Sequence, residues 1–142
     1  MTPVYRPGQF VWCRFPTAEQ PKAPGPKSRI GYVLAVRQIG RADVAALLYT
    51  TTVRWPTDAA RPLGVIPIDE PQARVIAQKP FMIDVRTAAA LPITMEFFPH
   101  LERADHGIQG AASAGLSRKI ESVLQELRRR RVAISVRGPI SR

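Results

Sequence analysis

The segment Gln9 to Phe15 alternates bulky side chains behind the turn pair Pro7-Gly8, and this pattern predicts a first strand. A β-branched and aromatic run from Ile30 to Val36 predicts a second strand. Val44 to Thr52, rich in Leu and Thr, predicts a third, with Gly40 and Asp43 marking the turn between them. Weaker strands are expected at Leu63 to Ile68, Arg74 to Ala77 and Phe81 to Val85, separated by Pro71 and Pro80. From Arg86 to Ala90 and beyond Leu91 the alternation fades and Ala accumulates, so short helical turns are expected there. Leu116, Ile120, Val123, Leu124 and Leu127 then recur at helical spacing. They predict one amphipathic helix over about residues 117–131, with Ser117 as its N-cap. Val132, Ile134 and Val136 alternate with Ala133, Ser135 and Arg137 before Gly138-Pro139, which predicts a last short strand.

This order of elements is mainly β with an appended α-helix. Two stretches break it. Residues 16–28 hold four prolines, one glycine and no periodic apolar residue, and are expected to form a long exposed loop. Residues 104–115 are small and polar with three glycines, and are expected to be a flexible connection. A chain of 142 residues with 45% apolar and 23% charged residues has the size and composition of one globular domain, residues 1–142. The longest apolar run, Val44 to Tyr49, is six residues, far short of the roughly twenty a spanning helix needs. The first residues have no apolar h-region, and the single cysteine, Cys13, cannot form an internal disulfide. The expectation is a cytoplasmic protein with no membrane partner.

Charge narrows the function. Lys and Arg number 21 against 11 Asp and Glu, a net charge of +10, which points to a polyanion or an acidic partner. Residues 118–142 alone carry eight basic residues and two Glu. Four of the eight are consecutive, Arg128 to Arg131, at the predicted end of the helix, where positive charge suits the helix dipole. Adjacent guanidinium groups also repel one another, so part of this cluster is expected to dock RNA backbone or an acidic protein.

No metal-binding or cofactor motif is present. His100 and His106 lie near Glu96, Glu102 and Asp105, but a spacing of six does not bring two imidazoles together on a helix or strand. Cys13, inside a strand, reads as a small buried side chain. Phe10, Trp12, Phe15, Tyr32 and Tyr49 read as core aromatics, leaving Trp55 as the candidate for stacking on a base. Arg14, Lys22, Lys27, Arg37, Arg41 and Arg54 are spread through the strand segments, where they can steer a polyanion.

RPGQFVWCRFP from Arg6, GPKSRIGYVLAV from Gly25, VAALLYTTT from Val44 and LPITMEFF from Leu91 follow one another in an order that resembles the MazF/PemK family of toxins from bacterial toxin–antitoxin pairs. These pieces cover roughly the first 100 residues. The resemblance implies a small SH3-like antiparallel barrel with a C-terminal amphipathic helix, acting as a metal-independent endoribonuclease without a cofactor. It implies single-stranded RNA (mRNA) as substrate, a homodimer, and an acidic antitoxin as partner. It assigns catalytic roles to Arg29, at the head of the second strand, and to Thr51, with Thr50 one register step away. Glu19, the one carboxylate in residues 16–28, takes the proton-transfer role, and Thr50, Thr52, Lys27, Arg14 and Trp55 are the expected RNA-binding residues.

The chemistry behind these roles is general. RNA carries its own nucleophile, the 2′-hydroxyl, so a protein has only to position the adjacent phosphate, balance charge on the pentacoordinate oxygens and let protons move. The planar fork of Arg29 matches two phosphate oxygens, and a β-branched Thr51 holds a hydroxyl at a stiff χ1. Two other classes stay open, a non-catalytic nucleic-acid-binding barrel and a protein-interaction module. The first of these rests on Ile30, which stands where the family has proline.

Overall fold

A computed structural model describes residues 3–53, 55 and 57–140. Its elements run β1 (Gln9–Cys13), β2 (Arg29–Ile39), β3 (Ala42–Thr51), β4 (Val65–Pro67), α1 (Glu70–Ile76), β5 (Met82–Pro92), β6 (Ile108–Ala111), α2 (Ala114–Arg129) and β7 (Ser135–Arg137). One mainly antiparallel sheet contains all seven strands in the order β4-β5-β3-β2-β1-β6, and β7 lies parallel on β5 beyond β4. The protein is therefore mainly β with a C-terminal amphipathic helix. β4 and β6 do not pair, so the hydrogen-bonded path is open and strand pairing does not complete the barrel expected from the resemblance.

Alternation along the strands feeds two cores. Phe10, Tyr32, Leu48, Ile83 and Val85 face one side of the sheet, where Ala73 and Ile76 of α1 and Leu116, Ile120 and Leu127 of α2 cover them. Val11, Cys13, Val33, Ala45, Leu47, Ala89 and Leu91 face the other side, under Tyr5, Phe15, Phe97 and Phe98. Burial of both faces explains why β3 reads as a nearly continuous apolar run from Val44 to Tyr49.

Four local expectations are corrected. Arg74 to Ile76 is helical and Ala77 is the C-cap, because Asp69 caps α1 by accepting the Gln72 N–H at 3.1 Å and Pro71 sits in the first turn, where its missing donor costs nothing. Arg86 to Ala90 is strand: β5 runs on through Ala88, Ala89 and Ala90, which pair with Leu48, Leu47 and Ala46. A bulge precedes them, and the Asp84 carboxylate holds it by accepting from the Arg86 backbone N–H (3.0 Å), Nε (2.9 Å) and guanidinium N–H (2.8 Å). The segment 104–115 contains β6, which pairs with β1, so small residues there allow close packing: a Cβ at Gly110 would meet Ile76 at 3.2 Å. Finally, α2 starts one turn early, with Ser113 rather than Ser117 as N-cap accepting the Leu116 N–H at 3.1 Å.

Candidate nucleic-acid interface

The ends of three strands meet at one corner of the sheet. Trp12 of β1 pairs with Ile30 of β2, and the Thr50 hydroxyl at the end of β3 donates to the Ile30 carbonyl. This row forms one wall of a cleft of about 250 Å³. Lys27, Ser28 and Arg29 stand where the long loop enters β2, and Thr50, Thr51 and Thr52 stand where β3 ends. Ala77, Lys79 and Phe81, from the connection between α1 and β5, close the opposite side. That connection turns sharply, because Gln78 adopts a left-handed φ of 61° while its N–H and that of Ala77 both donate to Ala73. The turn brings Lys79 to the rim.

The cleft is cationic. Lys27, Arg29 and Lys79 are exposed, and none forms an ion pair among the described residues. Among the described residues, no Asp, Glu or His lines it. The guanidinium of Arg29 lies over the Tyr49 ring, 5.5 Å from its centroid, and Tyr49 is wedged edge-on against Phe15 at 5.3 Å. A delocalised cation held on an aromatic face keeps its N–H fork free for an anion.

The three threonines differ. Thr50 is buried and spends its hydroxyl hydrogen on Ile30. Thr51, 9% exposed, accepts the Val53 N–H at 3.1 Å, which orients its oxygen and leaves its own hydrogen without an acceptor among the described residues. Thr52 is exposed. Thr51 is thus a hydroxyl with a fixed oxygen and a hydrogen available to a ligand, and the exposed Ser28 and Thr52 line the same cleft.

Five of the eight expected site residues, Arg29, Thr50, Thr51, Thr52 and Lys27, come together in this cleft. Three do not line it. Glu19 is exposed in the middle of the 16–28 loop, Arg14 is exposed beyond β1 with its N–H donating to Phe97, and Trp55 lies half-buried beyond the end of β3. Arg54 is outside the described residues. Of the two aromatics that line the cleft, Phe81 is buried and Trp12, read from sequence as core, is half-buried; the His100 ring lies 5.9 Å from Trp12, and burial, then Arg103, lowers that imidazole's pKa. Lys79 was not anticipated, and a Lys-Pro pair after a short helix gives no local signal of what lies across from it.

The remaining candidates have structural partners. His106 shares a 2.7 Å hydrogen bond between Nδ1 and the Leu101 carbonyl. Among the described residues no group of three His, Cys, Asp or Glu is placed to hold a metal ion. Burial pushes the Cys13 thiol up to about 12. In the arginine cluster, Arg129 and Arg130 both bind the Glu126 carboxylate, the latter at 2.7 Å, which leaves Arg128 and Arg131 as the members without an ion pair among the described residues. No family model, curated protein or solved structure matches the chain.

Proposed function

We propose that this protein is a metal-independent endoribonuclease that cleaves single-stranded RNA, the toxin member of a pair of the MazF/PemK kind. It acts in the cytoplasm as a homodimer restrained by an acidic antitoxin. The observation that carries the reading is the convergence of Arg29, Lys27 and Lys79 on Thr51 in one cleft without a carboxylate. Such a site attracts a phosphate and repels nothing on it.

In this reading the scissile phosphate lies between the Arg29 guanidinium and the Thr51 hydroxyl. The 2′-oxygen forms a bond to phosphorus as the bond to the 5′-oxygen breaks, giving a 2′,3′-cyclic phosphate and a 5′-hydroxyl. Arg29 balances the charge that grows on the equatorial oxygens, and Thr51 donates a hydrogen bond to one of them. With Glu19 away from the cleft, the 2′-hydroxyl proton leaves to water and the 5′-oxygen takes its proton from water. Trp12 offers an aromatic face to a neighbouring base.

The missing proton acceptor favours one second reading, a cleft that binds single-stranded RNA and cuts nothing. Incubating the protein with single-stranded RNA in excess chelator separates the two: cleavage supports the enzyme, and retention of intact RNA supports the binder.

A further inference from the structure

The loop of residues 16–28 delivers Lys27 to the cleft and ends at Arg29, yet it pairs with no strand. At its base the Gly25 N–H donates to the Arg14 carbonyl at 3.1 Å. Gly25 there packs so closely on Phe15 that a Cβ would stand 2.2 Å from the Phe15 oxygen. Within the loop the Gln20 N–H donates to the Thr17 hydroxyl at 3.2 Å and the Ala23 N–H to the Gln20 carbonyl at 3.3 Å, and two holds on its backbone come from residues 137 and 138. The Arg137 guanidinium donates to the Pro16 carbonyl at 3.0 Å, and the Gly138 N–H donates to the Pro21 carbonyl at 2.6 Å.

Both donors are fixed by β5. Ser135, Val136 and Arg137 pair with Thr87, Ala88 and Ala89, and Gly138, at φ 115°, lies against the Ala90 backbone, where a Cβ would be 2.1 Å from the carbonyl oxygen. Glycine is required there by both the dihedral and the space. A strand of three residues and the glycine that follows it, far from the loop in sequence, thus carry two consecutive donors aimed at two carbonyls five residues apart.

We propose that the C-terminal arm is a latch, in which Arg137 and Gly138 position the 16–28 loop and, through it, the cationic wall of the cleft. Arg137 and Gly138 are positioning residues. Released, residues 16–24 would sample many conformations with Gly25 as the remaining anchor two residues before Lys27, so a phosphate would meet Lys27 in the right arrangement only part of the time, while Arg29 keeps its place in β2 on the Tyr49 ring. The latch itself is independent of the nuclease reading; its effect on RNA cleavage rests on that reading.

Cleavage of the folded protein by a Glu-specific protease behind Glu19 reports loop release; trypsin is unsuitable because Arg128 to Arg131 stand at the root of the arm. Arg137→Gln and Gly138→Ala should each raise the rate of cut formation behind Glu19 at least fivefold, and Arg137→Lys, which keeps a donor, should stay near the unsubstituted rate. On single-stranded RNA, Arg137→Gln should lower kcat at least fivefold, with Arg137→Lys restoring most of it. Should Gly138→Ala fail to fold, Arg137→Gln alone decides. An unchanged Glu19 cut rate in Arg137→Gln overturns the latch, and a released loop with unchanged kcat overturns its positioning role. A protein that cuts no RNA sinks the nuclease reading, and the protease comparison still decides the latch.

Discussion

Arg29 and Tyr49 form a cation–π pair, with the guanidinium carbon 5.5 Å from the ring centroid. The two residues sit on adjacent strands, and the ring is held in turn by Phe15. A long side chain that would otherwise sweep through solvent is thereby given a plane and a direction before any ligand arrives.

Removing that ring should therefore cost activity without removing the charge. An exposed cation–π contact is worth about 0.5–1 kcal/mol, which corresponds to roughly a two- to fivefold change in rate. Tyr49→Leu is expected to lower kcat/KM on single-stranded RNA by that factor, and Tyr49→Phe to leave it unchanged. Steady-state kinetics on the two variants checks this.

The threonines should separate by role. Thr50→Val removes the hydrogen bond to the Ile30 carbonyl from a buried position, so it should destabilise the fold by about 1 kcal/mol. Thr51→Val removes a hydroxyl that lines the cleft, and water can replace it as acceptor for the N–H of the exposed Val53. A hydrogen bond to a charged group contributes about 1.5–3 kcal/mol, so activity should fall at least tenfold with the melting temperature nearly unchanged. Denaturant titration and kinetics on the same preparations distinguish the two effects.

Much of this was legible in the sequence because it is local. Arg29, Thr50, Thr51, Thr52 and Lys27, singled out by the resemblance, fall at strand ends that alternation and turn residues already mark, and antiparallel pairing of β2 with β3 brings those ends together. Lys79 was missed because its place depends on how α1 packs across the sheet, and Trp12 because its place depends on the register that sets it beside Ile30, neither of which a spacing within the chain expresses. The helix at Glu70–Ile76 is a different kind of miss. Its signal, Asp69 followed by Pro71, is present, but Arg74 to Ala77 also reads as a β-favouring run when taken alone. The strand through Ala88, Ala89 and Ala90 is set by β3 on one side and β7 on the other, where small side chains are needed for close approach, against their helical preference.

Cys13 supplies a pH test of the second core. Its thiol ionises near 9 when unfolded and near 12 in the fold, burial being the largest cause. The neutral thiol is favoured by folding, so its contribution to stability is complete below pH 9 and is lost as pH rises through 12. Native protein should resist iodoacetamide at pH 8 and react promptly in denaturant, and stability by denaturant titration should decline from pH 9 upward. Prompt labelling of the native thiol at pH 8 would show that β1 is not packed as described.

The central claim is that the Arg29 and Thr51 cleft cuts RNA by using the RNA's own 2′-hydroxyl. The most direct measurement is product-end analysis of single-stranded RNA incubated in excess EDTA with the unsubstituted protein and with Arg29→Ala, the fold of both checked by circular dichroism. The account predicts 5′-hydroxyl and 2′,3′-cyclic phosphate ends from the first and intact RNA from the second, with the same spectrum for both. Intact RNA in both, or cutting that Arg29→Ala does not slow, would contradict it.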